Sequence, residues 1–323
     1  MITNNTGIPL TLAVWALYDD YDFINEPNYI SATTLLKPIK QIILGRRVPP
    51  ELKQAEDVSD YVSAALGKSI HASVEIAWKQ GYRTALKRLG YPESVIEHVA
   101  INPTPEEVKA DPDIIPIYIE QRSTRTINGF KVGGKFDMVA EGALRDTKST
   151  TAYTWLYGGK DDDYRIQGSV YRWLNPVIVT EDYMNVDFVF TDWQKSQAKQ
   201  NPNYPQKRLE SKVIALFSLE DTEKYIVNKL NQIRQLQDAP ESQIPECTEE
   251  DLWRSTPQYK YYSDPTKVSG RSTRTFDDAI EAQRFMVEKG GKGVIITTPT
   301  VVKRCSYCPA FPICEQKDRY EHD

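Results

Sequence analysis

Two dipeptides, Asn128-Gly129 and Glu141-Gly142, constrain this chain more than any other feature. Both lie between runs of alternating apolar and polar residues, and an amide or acid followed by glycine readily takes the left-handed backbone of a two-residue hairpin turn. Ile117 to Ser123, Thr126 to Ala140 and Gly142 to Lys148 therefore read as three successive strands, an antiparallel meander. A tight turn at Glu141-Gly142 brings Asp137, near the end of one strand, beside Asp146 on the next. Lys148 follows Asp146 by two residues, so the two side chains share a face of their strand.

Helical patterns flank the meander. From Asp57 the spacing predicts a helix through Ala65 with Ser59 as its cap, then a second helix from Lys68 with Ile70, Val74 and Ala77 on one face. His71, Glu75, Trp78 and Tyr82 form another stripe of that second helix. After the meander, a helix from about Asp162 to Leu174 carries Tyr164, Gln167, Tyr171 and Leu174 on one face, and a strand from Asn185 to Thr191 follows. Beyond lie a helix near Leu219 to Leu236, a tyrosine-rich segment around Tyr259, a helix near Asp277 to Lys289 and a short strand. Residues 1–50, punctuated by Pro27, Pro38, Pro49 and Pro50, read as strand-like and turn-like pieces forming a cap segment. The expected class is α/β (α+β), a mixed central sheet flanked by helices, divided into the cap segment, a core over 51–215 and a helical C-terminal lobe over 216–323.

A length of 323 residues with 40% hydrophobic composition suffices for one sizeable core and an appended lobe. The apolar runs fall far short of a bilayer span and the N-terminus lacks a basic-then-apolar leader, so a soluble cytoplasmic protein without membrane contact is expected. A net charge of -5 excludes a global basic field. Nucleic-acid contacts would have to come from local patches such as Arg46-Arg47, Lys207-Arg208 and Lys303-Arg304, each of which reads first as solvated surface.

Hydrolysis of a phosphodiester needs a divalent cation held by carboxylates that converge from adjacent rigid elements, and Asp137 and Asp146 meet that requirement. The Lys148 ammonium can hold the scissile phosphate or the attacking water. An acid-x-Lys triplet is common by chance, so its context carries the inference. Gly133-Gly134-Lys135-Phe136-Asp137, then Asp146-Thr147-Lys148, then Gln167-Gly168-Ser169-Val170-Tyr171 resemble the motifs of RecB-like PD-(D/E)XK nucleases, whose core is restriction-endonuclease-like. Upstream, Gly67 to Glu75 is similar to that family's first motif, a helix with a metal-ligating histidine. The resemblance implies that His71, Asp137, Asp146 and the backbone carbonyl of Thr147 bind Mg2+ or Mn2+, and that Lys148 is catalytic. It further implies that Gln167 and Tyr171 order the site or touch DNA; their alternative reading is packing against the sheet. An imidazole ligand favours softer ions than Mg2+, so Mn2+ should support activity well.

Three of the four cysteines, Cys305, Cys308 and Cys314, fall within ten residues, which suits a metal or cluster ligand set better than a disulfide framework. Their spacing resembles the C-terminal iron-sulfur clasp of CRISPR-associated RecB-like exonucleases, which implies a [4Fe-4S] cluster completed here by Cys247. In that family the fourth cysteine precedes the nuclease motifs, whereas Cys247 follows them, and Zn2+ or free thiols remain open. Residues 57–75, 187–195 and 245–257 also look similar to phage-encoded PD-(D/E)XK proteins. A metal-dependent exonuclease acting on single-stranded DNA or DNA ends in phage recombination, replication or DNA degradation is the expected function. A non-catalytic DNA-binding or assembly subunit and a restriction-type endonuclease are the alternatives, and a replication or recombination partner or self-association is left open.

Overall fold

Both glycine dipeptides turn hairpins, with left-handed backbone at Asn128, Gly129, Glu141 and Gly142. The computed structural model describes residues 2–53, 55–157 and 160–320. The chain divides into two compact units, Met1–Leu36 with Ala55–Asn231, and Lys37–Gln54 with Gln232–Asp323.

The first unit is built on a seven-stranded mixed sheet flanked by helices. Its strands are β1 (Tyr29–Ser31), β2 (Val99–Ile101), β3 (Ile115–Ile127), β4 (Phe130–Ala140), β5 (Ala143–Thr150), β6 (Tyr183–Phe190) and β7 (Leu209–Ala215). They lie in the order β2-β3-β4-β5-β6-β7, and β1 adds to β4 in parallel. The meander is antiparallel, as the turns require, but β5 runs parallel to β6 because the Asp161–Leu174 helix crosses between them.

One helix stands where the sequence suggested two. Val58–Ile76 is continuous, capped by a box in which Asp57 and Asp60 satisfy each other's backbone N–H groups, so Asp57 rather than Ser59 opens it. Gly67 does not break this helix. A Cβ there would lie 3.4 Å from Ser149 Oγ, an ordinary contact where the helix passes β5. Farther along, Val74, Trp78, Tyr82 and Leu86 pack on Val99, Ile117, Ile119 and Met138, burying the apolar end of the His71 stripe in the core. Residues 10–17 are helical rather than strand-like, since Ala13 and Ala16 find an apolar surface in Val58 and Ala65.

The Asp161–Leu174 helix rests on β4 through a contact only glycine allows. A Cβ at Gly134 would sit 2.6 Å from Cε1 of the buried Tyr171 ring and 3.2 Å from the Ala32 side chain. Gly134→Ala should therefore lower unfolding stability by about 1–3 kcal/mol, the usual range for overpacking. An unchanged urea midpoint would mean that the Tyr171 ring can move at little cost.

The second unit holds the sheet β10-β8-β9, made of β8 (Gln258–Tyr262), β9 (Arg274–Phe276) and β10 (Val294–Thr298). The Ala279–Glu288 helix covers it, with Ala282, Phe285 and Met286 packed on Tyr261, Phe276 and Ile295. Two of the basic pairs have structural partners here. Arg47 donates to the carbonyls of Leu236 and Gln237, and Arg304 bonds Gln41 and lies over the Trp253 ring. No helix among the described residues is long and apolar enough to cross a membrane.

Candidate active site

The ladder between β4 and β5 runs from Ala140–Ala143 to Met138–Arg145 and stops there. Asp137 and Asp146 occupy the next opposed positions, as the Glu141-Gly142 turn dictates. Where the ladder ends, the Thr147 N–H donates to Asp137 Oδ2 at 3.0 Å. His71, brought over from the long helix, places Nδ1 3.1 Å from the same oxygen. Thr147 thus reaches Asp137 through its N–H, while the atom the resemblance assigned to the metal is its carbonyl.

A further acid faces this group. The Asn128-Gly129 turn fixes the β3–β4 register so that Glu120 lies across from Asp137, but the pairing skips that position between Ile119–Met138 and Gln121–Phe136. Glu120 has φ 53°, a left-handed conformation that is strained for a side chain of this size in a strand. Asn102 supports the break, accepting the Ile119 N–H at 2.7 Å and donating to the Ile119 carbonyl at 3.2 Å. Ligand atoms of His71, Glu120 and Asp137 all lie within 4.8 Å of one another, a geometry able to hold one cation. Sequence reading missed Glu120. The register set by the first turn was the available signal, but nothing local marks the backbone break that turns this acid toward the site.

Asp146 and Lys148 form the second half of the constellation. Asp146 is 4% exposed, and Lys148 Nζ lies 2.6 Å from its Oδ2. The ammonium is this buried oxygen's partner, and no other donor among the described residues reaches it. A buried carboxylate balanced by one ammonium alone suits a site that takes a cation. Burial pushes the Asp146 carboxyl up to about 6, against the pull of the Lys148 ammonium. Burial acts the same way on Asp137, but the His71 hydrogen bond and charge, Lys148 and the Thr147 N–H outweigh it and hold Asp137 below the ordinary carboxylate range. His71 is raised by its bond to Asp137 despite burial, and Lys148 is raised because the Asp146 charge outweighs its own burial.

His71, Glu75, Glu120, Asp137, Arg145 and Asp187 all line one open cavity. Arg145 is paired with Asp187 at 2.9 Å on its rim. Gln167 and Tyr171 meet each other, Gln167 Nε2 donating to the Tyr171 hydroxyl at 3.0 Å. The Tyr171 ring packs against Gly134 of β4, and burial raises its hydroxyl well above the usual value, with the Asp146 charge adding to the rise.

In the second unit, Cys247, Cys305, Cys308 and Cys314 line a single small cavity with Lys40, Arg304 and Lys317 around it. Gln316 clamps Cys247 from both sides, its carbonyl oxygen accepting the Cys247 N–H and its amide donating to the Cys247 carbonyl, each at 2.9 Å. Lys40 is buried and paired with Glu241 at 3.0 Å. Burial raises all four thiols, Cys247 to about 12, and neighbouring cysteines add to the rise at each of Cys247, Cys305 and Cys308. The four half-buried thiols thus border one cavity beside cationic side chains.

No protein-family profile and no curated protein matches the sequence. Among solved structures, the chain is similar to SSO0001 at 14% identity and a TM-score of 0.39, with 68% of this chain and 81% of that one covered. It is also similar to a phage-related exonuclease from Haemophilus somnus 129PT at 17% identity and a TM-score of 0.27, with 62% and 91% covered.

Proposed function

We propose that the chain is a divalent-metal-dependent deoxyribonuclease that acts on single-stranded DNA or DNA ends. The observation that carries this reading is the convergence of His71, Glu120 and Asp137 ligand atoms beside the buried Asp146–Lys148 pair. His71, Asp137 and Asp146, with the Thr147 carbonyl, would hold Mn2+ or Mg2+, and Glu120 joins that set. The cation would supply charge neutralisation and activation of water at the scissile phosphate.

The chain's own groups do the rest. Lys148 keeps an ammonium in a poorly solvated place, where it can stabilise charge on a phosphate oxygen more strongly than in water. The Thr147 N–H fixes one Asp137 oxygen, and Gln167 with Tyr171 stiffens the wall behind Gly134. In the second unit the four cysteines would hold a [4Fe-4S] cluster, with Zn2+ as the alternative occupant of the same thiolates.

The test is incubation with Mn2+ and labelled linear or closed circular single-stranded DNA. Shortening of the linear strand with the circle intact is expected; cutting of the circle would indicate an endonuclease, and intact DNA in both arms would remove the nuclease reading. In the same assay His71→Ala and Glu120→Gln should each raise the Mn2+ concentration for half-maximal rate, on the order of 10-fold or more. An unmoved midpoint for Glu120→Gln would leave that acid as a partner of Lys135 alone.

A further inference from the structure

Residues 18–28 join the first helix to β1, contain Asp19, Asp20, Asp22 and Glu26 with no basic residue, and run without helix or strand. Cations of the same unit meet three of these four acids. Lys68 pairs with Asp19 at 2.9 Å and donates to the Tyr18 carbonyl at 3.4 Å. Arg122 donates to the Asp22 carbonyl and lies 3.9 Å from its carboxylate. Lys131 pairs with Glu26 at 2.9 Å. The Tyr21 ring lies 5.2 Å from the Arg122 guanidinium and 5.4 Å from the Lys135 ammonium.

The sheet register shows where these cations lead. Arg122 faces Lys135 and Thr126 faces Lys131 across the β3–β4 ladder, so Arg122, Lys131 and Lys135 share one side of the hairpin. Lys131, Lys135 and Asp137 alternate along β4 on that same side. Lys68 precedes His71 by three residues on the long helix. Lys135 also reaches Glu120, so the row of cations ends on the metal-ligating group itself. A row of positive side chains converging on a hydrolytic centre suits the backbone of one nucleic-acid strand.

Resting on the nuclease reading above, we infer that this face of β3 and β4 is the lane by which a single strand reaches His71, Glu120 and Asp137, and that residues 18–28 occupy it as an internal substitute for the phosphate backbone. The half-exposed ion pairs that hold the segment are individually weak and screened by salt. An incoming strand can exchange with them one by one and gains the release of its own counterions.

The experiment measures anisotropy of a labelled oligodeoxythymidylate with the full chain at low salt and in chelator, so that binding is read without cleavage. The combined Asp19→Asn, Asp22→Asn and Glu26→Gln variant should bind on the order of 10-fold more tightly than the parent. Adding Arg122→Ala and Lys131→Ala should reverse the gain and lower the slope of log K against log salt by about 1 for each cation removed. A neutralised variant that binds no more tightly, or a gain that survives loss of Arg122 and Lys131, overturns the lane. Each of these results leaves the nuclease reading standing if Mn2+-dependent cleavage persists, and loss of all binding and all cleavage in the parent removes both.

Discussion

Asp137→Asn should abolish most cleavage, lowering the rate by about 10²- to 10³-fold, while the chain keeps its fold. The amide can still accept the Thr147 N–H, so the end of the β4–β5 ladder survives, but the negative charge that a cation needs is gone. Lys148→Ala should cost a similar factor for a different reason. The ammonium stabilises charge on the phosphate, and its loss leaves Asp146 buried without its ion-pair partner. An uncompensated carboxylate attracts a cation more strongly, so Lys148→Ala should take up Mn2+ at least as tightly as the parent, whereas Asp137→Asn should take it up more weakly. Rates on a linear single strand, paired with metal titration and urea midpoints, separate the two roles. Near-parental cleavage by Asp137→Asn would sink the assignment, and weakened Mn2+ uptake by Lys148→Ala would show that the lysine acts on the metal site instead.

Cys305→Ala should remove a bound metal centre and loosen the second unit without unfolding the first. Burial raises all four thiols, so a cation that binds them as thiolates would displace their protons. Cross-linking Cys247 to Cys305 through a cluster closes a loop of 57 intervening residues. By the loop-entropy relation such a closure contributes about 4 kcal/mol. Anaerobically purified parent protein is expected to be brown, with broad absorbance near about 400 nm that the variant loses. Limited proteolysis should then cut within residues 232–320 while the first unit stays protected. Colourless parent protein with stoichiometric zinc would change the identity of the centre, and protein holding neither iron nor zinc would leave the cysteines as plain packing groups.

Much of the site can be read directly in the sequence, because it depends on short-range rules. A two-residue turn fixes register, so Glu141-Gly142 already opposes Asp137 to Asp146, and strand periodicity already puts Lys148 beside Asp146. Helix spacing likewise sets His71 in line with Trp78 and Tyr82, whose burial then aims the histidine at the sheet. The close spacing of three cysteines pointed to a shared ligand set, and in the folded chain all four cysteines line one cavity.

What remained hidden depends on residues far apart in the chain. Gly67 lies between the two helices that the sequence suggested, yet the helix runs on through it to Ile76 and passes Ser149 of β5. The adjacent basic pairs advertised themselves, yet Arg47 and Arg304 serve neighbouring backbone and side chains, while the row that leads to Asp137 is assembled from Lys68, Arg122, Lys131 and Lys135 by pairing across a hairpin and onto a helix. Glu120 faces inward because Asn102 satisfies the backbone groups of Ile119 that flank the break, letting β3 carry a left-handed residue in mid-strand. Turn chemistry and periodicity act over a few residues and are therefore legible locally; the strained backbone at Glu120 persists only because contacts summed over the whole packed unit offset its cost.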